Sequence, residues 1–194
     1  MKNLQVRVKT DLVTEPVTAA EAKLFCKVTG TAEDSLFTIL VSAARKALEK
    51  YTSSSFAEKT LHATWVTVPE DSLLELPYGP TIAVSKVYWI DEEGTETEAT
   101  LNSDYWVYGD QDAIVKVSKF WSGGTLVSNS VRVEYTAGYG HANTETLPTD
   151  LKLAILKQIA TDYELREDIS LTGAVVLSNA SKGLANPYRK KLWW

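Results

Sequence analysis

The chain is 194 residues and 21.4 kDa, with 44% hydrophobic, 23% charged and 10% aromatic residues and a net charge of −5. These proportions exclude collagen-like, coiled-coil and wholly disordered chains, and a chain of this length buries about 70% of its unfolded surface in a core. A single cysteine, Cys26, excludes an intrachain disulfide and a cysteine-based zinc site, which suits folding in a reducing cytoplasm.

Residues 1–9 lack the apolar stretch of a signal peptide. The longest uncharged apolar-rich run, Leu36 to Ala44, falls far short of the ~20 residues of a membrane helix. The expectation is a soluble, unexported protein with no membrane partner. Charge is unevenly placed along it. Residues 1–60 hold 9 Lys and Arg against 7 Asp and Glu, for +2. Residues 61–147 hold 4 against 13, for −9, and residues 148–194 hold 7 against 5, for +2. An acidic middle opposes a nucleic-acid-binding surface there, because phosphate binding needs Lys and Arg, and it reads as a solvated acidic sheet.

The elements follow in chain order. Val6 and Val8 alternate with Gln5, Arg7 and Lys9, which predicts a half-buried strand. Thr18, followed three residues later by Glu21, is a capping box that opens a short helix running to about Val28 and stopping at Gly30. Thr31, with Asp34 three residues on, opens a second helix. Leu36, Phe37, Leu40, Val41, Ala44, Leu48 and Tyr51 share one face of it, and Lys46, Glu49 and Lys50 fall away from that face.

Residues 61–147 differ in kind. Seven short runs rich in Val, Thr, Trp and Tyr (Leu61 to Val68, Leu73 to Leu76, Ile82 to Ile90, Thr97 to Leu101, Tyr105 to Tyr108, Ala113 to Val117 and Val131 to Tyr135) are separated by turn residues. That pattern predicts an antiparallel β unit, a small barrel or sandwich. Pro148-Thr149-Asp150 then opens a third helix carrying Leu151, Ile155, Ile159 and Tyr163 on one face, with its end near Arg166 to Asp168.

The predicted fold class is α+β: a helical scaffold of three main helices, an antiparallel β unit inserted between helices two and three, and an extended C-terminal tail. Its segments, within one structural domain, are 1–60, 61–147, 148–168 and the mobile tail 169–194.

No constellation for catalysis emerges. His62 and His141 have no metal-ligand spacing to one another or to Cys26, and Cys26 beside Phe25 reads as a small hydrophobe. Gly138-Tyr139-Gly140 and Ser122-Gly123-Gly124 match no phosphate-binding loop and read as turns. The carboxylates of Asp91, Glu92 and Glu93, and of Asp110 and Asp112, read as exposed turn residues rather than a calcium loop. The expectation is therefore no enzyme, no catalytic residue, no metal site and no cofactor. The tail stands out instead, because Tyr188, Leu192, Trp193 and Trp194 place large apolar surface beside Arg189, Lys190 and Lys191. Such residues anchor interfaces. The tail either folds back over its own core or docks on a partner. A different reading gives Trp65, Trp89, Trp106 and Trp121 to a platform that binds carbohydrate or peptide, against the alternative that they pack within and between strands.

Several strings, in order, resemble the head–tail connector (adaptor, or head-completion) proteins of long-tailed bacteriophages and prophages. They are Glu15-Pro16-Val17-Thr18-Ala19-Ala20-Glu21-Ala22-Lys23, Ala43-Ala44-Arg45 through Glu49-Lys50-Tyr51-Thr52, and Leu76-Pro77-Tyr78-Gly79-Pro80 with Ile90-Asp91 after it. Tyr135-Thr136-Ala137-Gly138-Tyr139-Gly140, Leu147-Pro148 and Asp162-Tyr163-Glu164-Leu165-Arg166-Glu167 complete a span of about residues 15–168. The double Trp at the end of the tail departs from the family pattern.

The resemblance implies a non-enzymatic virion protein of the head–tail neck, made in the host cytoplasm. Its copies would form a ring, typically twelve-fold, beneath the portal protein and bind the stopper or tail-completion protein below. DNA would pass through without sequence-specific binding. On this reading Tyr188, Arg189, Lys190, Lys191, Leu192, Trp193 and Trp194 dock on the portal, and Asp91, Glu92 and Glu93 face the channel or neck surface.

Overall fold

A computed structural model of the chain describes residues 4–11, 14–91, 93–118, 120–121, 124–125, 130–140, 146–165 and 177–190. Strand β1 (Leu4–Thr10) is followed by helices α1 (Ala19–Phe25) and α2 (Asp34–Thr52). The β unit contains β2 (Lys59–Trp65), β3 (Leu73–Glu75), β4 (Thr81–Ile90), β5 (Glu96–Glu98), β6 (Tyr105–Tyr108) and β7 (Ile114–Val117). It continues with β8 (Phe120–Trp121), β9 (Gly124–Thr125) and β10 (Ser130–Ala137), and α3 (Thr149–Glu164) and α4 (Asn179–Ala185) complete the helices. The mixed α+β class stands. The expected three helices become four, because the region read as an extended tail contains α4 and a single 3₁₀ turn, Asn186–Tyr188.

The sheets pair as alternation requires. The larger is antiparallel in the order β1-β2-β10-β4-β5, and the smaller runs β3-β7-β6. Along β2 and β10 burial alternates residue by residue, so Leu61, Ala63 and Trp65 point inward with Val131, Val133, Tyr135 and Ala137. They join Val87 and Trp89 of β4 and Leu74, Val115 and Val117 of the smaller sheet in one core, a small two-sheet sandwich. The opposite face of the larger sheet is polar: Lys9 donates to both oxygens of Glu134 at 2.8 and 2.9 Å, and His62 Nε2 lies 3.0 Å from the same carboxylate. The β1 strand thus belongs to the sheet although α1 and α2 follow it in sequence. It is an edge strand, and Val8, expected to be half-buried, is 53% exposed.

The helices bury a second core. Phe37, Val41, Ala44 and Leu48 of α2 meet Leu151, Ile155 and Ile159 of α3, with Phe56, Leu177 and Ala185 filling in. The Thr18–Glu21 capping box is present in both halves, Glu21 N–H to Thr18 Oγ1 at 3.1 Å and Thr18 N–H to Glu21 Oε2 at 2.7 Å. Three helix boundaries differ from expectation, and one of them is the end of α3, which stops at Glu164 rather than near Arg166 to Asp168. Helix α1 ends at Phe25, where Cys26 caps it and Lys27 takes a positive φ of 55°, before Gly30 is reached. Helix α2 starts with Glu33 as its cap and no side-chain capping bond; the Asp34 N–H donates to the Thr31 carbonyl at 3.3 Å while its carboxylate pairs with Lys23.

The two cores are joined through charge. Glu49, expected on the outer face of α2, is 5% exposed and sits between Arg45 (2%) and Lys59 (6%). One Glu49 oxygen accepts from Arg45 at 3.0 Å and from Lys59 at 2.7 Å, while the other accepts the Phe56 N–H at 2.7 Å. Arg45 also grips both oxygens of Glu15, at 2.6 and 3.1 Å, so the segment before α1 is held by the same cluster. Burial disfavours the Arg45 charge, but Glu15, Glu49 and Asp11 more than offset it and hold the guanidinium pKa above its ordinary value.

Close backbone contact adds a second joint. Gly138 has φ +137°, and a Cβ there would lie 2.3 Å from the Ala57 carbonyl oxygen. Glu49→Ala leaves two buried cations and a backbone N–H without their shared acceptor, and is expected to lower the unfolding free energy by about 3–5 kcal/mol. Chemical denaturation of both proteins measures this; a loss under about 1 kcal/mol would mean that solvent replaces the carboxylate.

Candidate assembly surfaces

The described part of the C-terminal segment is built into the fold. Gln158, fully buried on α3, accepts the Ser178 N–H at 2.9 Å through Oε1 and donates to Asp162 at 2.8 Å through Nε2. Ser178 then caps α4, its Oγ accepting the Ser181 N–H at 3.1 Å, and Ser181 and Ala185 are completely buried against the other helices. A helix of seven residues has little stability alone, so this docking onto α3 is what maintains it.

Beyond α4 the chain crosses from one core to the other. Tyr188 packs on the helical core, and its carbonyl accepts from Ser54 Oγ at 3.4 Å. The Arg189 guanidinium lies 5.3 Å from the Tyr51 ring centroid, and Arg189 itself is exposed. Lys190 donates its N–H to the Thr52 carbonyl at 2.9 Å and ion-pairs with Asp112 in the turn before β7. Of the seven expected docking residues, the structure brings Tyr188, Arg189 and Lys190 together at the end of α2. Lys191, Leu192, Trp193 and Trp194 lie outside the described residues. Lack of periodicity predicts a mobile tail, yet over residues 177–190 the chain is held by buried polar contacts that periodicity does not register.

The acidic tip lies elsewhere, in the turn joining β4 to β5. Asp91 Oδ1 accepts the Thr95 N–H at 2.6 Å and its carbonyl accepts the Gly94 N–H at 3.1 Å, a tight turn closed by Gly94 at φ +84°. Glu93 is exposed on it, and Glu92 lies outside the described residues. The tip and the C-terminal segment do not share a site.

The remaining candidates resolve simply. Trp65 and Trp89 are 4% and 1% exposed in the sandwich core, so they offer no binding platform; Trp106 is half-buried, and the side chain of Trp121 lies outside the described residues. His62 is the partner of Glu134, and His141 lies outside the described residues. Cys26 is partly buried, and burial raises its thiol pKa, which disfavours thiolate. Among the described residues no group of three or more His, Cys, Asp and Glu is placed to hold a metal ion, and no helix is long and apolar enough to cross a membrane.

No protein-family model matches the chain, and no curated protein matches it by sequence. Solved structures do match in fold. A chain of the neck of an empty gene transfer agent (GTA) particle, computed with C6 symmetry, superposes with a TM-score of 0.71 at 22% identity, covering 98% of this chain and 97% of that one. A chain of the native GTA virion gives 0.72 at 21% identity over 97% of each. A chain of the native GTA neck computed with C12 symmetry gives 0.62 at 23% identity over 98% and 97%. The whole chain, helical layer and sandwich together, therefore has the fold of these particle components.

Proposed function

We propose that this chain is a structural subunit of the head–tail neck of a phage-like particle. A ring of its copies would sit beneath the portal, join the DNA-filled head to the stopper or tail components, and form part of the channel through which DNA passes. The observation that carries this reading is the fold likeness to neck and virion chains over 97% or more of both partners. The string-by-string resemblance to connector proteins along residues 15–168 points to the same place in a particle. The C6 and C12 symmetries of the matched necks support a ring of copies.

Within that role the C-terminal segment serves as the portal contact. Tyr188 and Lys190 fix the chain to the junction of the two cores with Arg189 exposed between them, and Arg189, Lys191, Leu192, Trp193 and Trp194 are assigned to the contact. Truncation from Pro187 would remove the anchor as well as the contact, so the informative deletion starts at Lys191. Loss of residues 191–194 is expected to leave the melting temperature within a few degrees of the full chain while abolishing co-sedimentation with portal rings. Early melting would place those residues in the protein's own core instead.

The Asp91–Glu92–Glu93 tip is assigned to the channel, where carboxylates repel DNA phosphates and keep the passage non-adhesive. Particles carrying Glu92→Lys and Glu93→Lys should eject DNA more slowly, read by dye fluorescence after triggered release. Ejection at the unaltered rate would move the tip to the outer surface.

A further inference from the structure

The larger sheet ends in a strand with one side unpaired. Strand β1 bonds β2 in unbroken register along Leu4–Val8, and among the described residues no strand pairs with its other side. Successive residues of a strand turn their N–H and C=O to opposite sides, so alternate residues of β1 present a donor and an acceptor at this edge. The chemistry that matches such a row is a second extended backbone.

The two faces of β1 restrict which backbone that is. Val6 and Val8 stand opposite Ala63 and Leu61, on the inner face of the sheet. Beside them, between β1 and α2, lies a cavity of about 280 Å³ walled by Val6, Val8, Leu61 and Tyr78. Its buried ions, Glu49 and Lys59, are already paired at 2.7 Å, so the cavity offers apolar wall, and Val8 at its rim is 53% exposed. The opposite face of β1 is cationic: Arg7, across from His62, is exposed and has no ion pair among the described residues. Lys50, exposed on α2 where it lines the cavity, likewise has none. Lys9 and Lys46 flank the edge as well, but each has a carboxylate partner, Glu134 and Asp11.

We infer that the β1 edge accepts an extended segment of a different protein, added to the sheet as a further strand, in which apolar residues alternate with Asp or Glu. Its apolar side chains would enter the cavity beside Val6 and Val8, and its carboxylates, on the opposite face, would meet Arg7. A second copy of this chain fits poorly. Two β1 strands side by side would set Arg7 and Lys9 against their like, which is how charged edge strands discourage self-pairing. The other edge of the same sheet, β5, is Glu96-Thr97-Glu98 and has no apolar side chain for the cavity. The inference stands on the sheet edge itself and is independent of the neck reading.

Fluorescence anisotropy of labelled peptides of seven residues, the length of β1, titrated with the full chain tests it. A peptide alternating Val and Glu should bind saturably, and replacing its Glu by Lys, or its Val by Ser, should weaken binding about tenfold or more. Arg7→Glu, at an exposed position, should cut the preference for Glu over Lys about tenfold, and Val8→Asp should weaken binding of the Val and Glu peptide. Two further peptides read the backbone without altering the protein. N-methylation of every Val amide, or of every Glu amide, blocks one side of the peptide only, so one form should bind like the parent and the other should lose binding. Equal behaviour of these two forms, a Glu preference that Arg7→Glu leaves unchanged, or no binding of the Val and Glu peptide overturns strand addition at this edge.

Discussion

Glu49 stands where the last turn of α2 approaches the first residue of β2, and its two oxygens are divided among Arg45, Lys59 and the Phe56 N–H. Buried charges of this kind are costly to desolvate, and the cost is recovered only when every donor and acceptor has a partner in good geometry. That requirement fixes the relative placement of helices and sandwich. Arg45 reaches from the helical core, Lys59 from the sheet, and Glu15 from the segment leading into α1, so a shift of any one breaks a buried contact of the cluster. The Gly138–Ala57 contact and the Lys190 anchor then close over a joint whose geometry is already set. In the proposed neck role, this joint would hold the helical layer and the sandwich in one relative placement.

Features governed by local chemistry were legible in the sequence. The Thr18–Glu21 box, the inward face of α2 at Phe37, Val41, Ala44 and Leu48, and the strand Tyr105–Tyr108 all follow from spacing alone. What periodicity missed depends on distant partners. The helical pattern places Glu49 toward solvent because it treats a carboxylate as hydrated, and nothing within the helix announces Lys59 ten residues on. Helix α4 contains Gly183 and spans two turns; its stability comes from Gln158 on another helix. The two-residue strands β8 and β9 are too short to carry alternation. Of the candidate surfaces, the acidic turn was readable from Asp91 to Gly94, but the anchoring of Tyr188 and Lys190 required the fold.

The uneven charge of the chain gains a physical purpose in this account. The sandwich carries most of the negative charge, and the helices and C-terminal segment carry the positive excess. In a ring of identical subunits such a division favours contacts between unlike surfaces of successive copies over like-on-like pairing. Within one subunit the same division is used where Lys190 of the last segment meets Asp112 of the sandwich.

The central claim is that copies of this chain close into a ring. Negative-stain electron microscopy of the purified protein at high concentration, with light-scattering mass on the same sample, tests it most directly. The account predicts closed rings with a central hole and a mass that is a whole multiple of the 21.4 kDa chain. A protein that forms only two-fold dimers, or remains monomeric at every concentration and also when portal rings are supplied as a template, would contradict it.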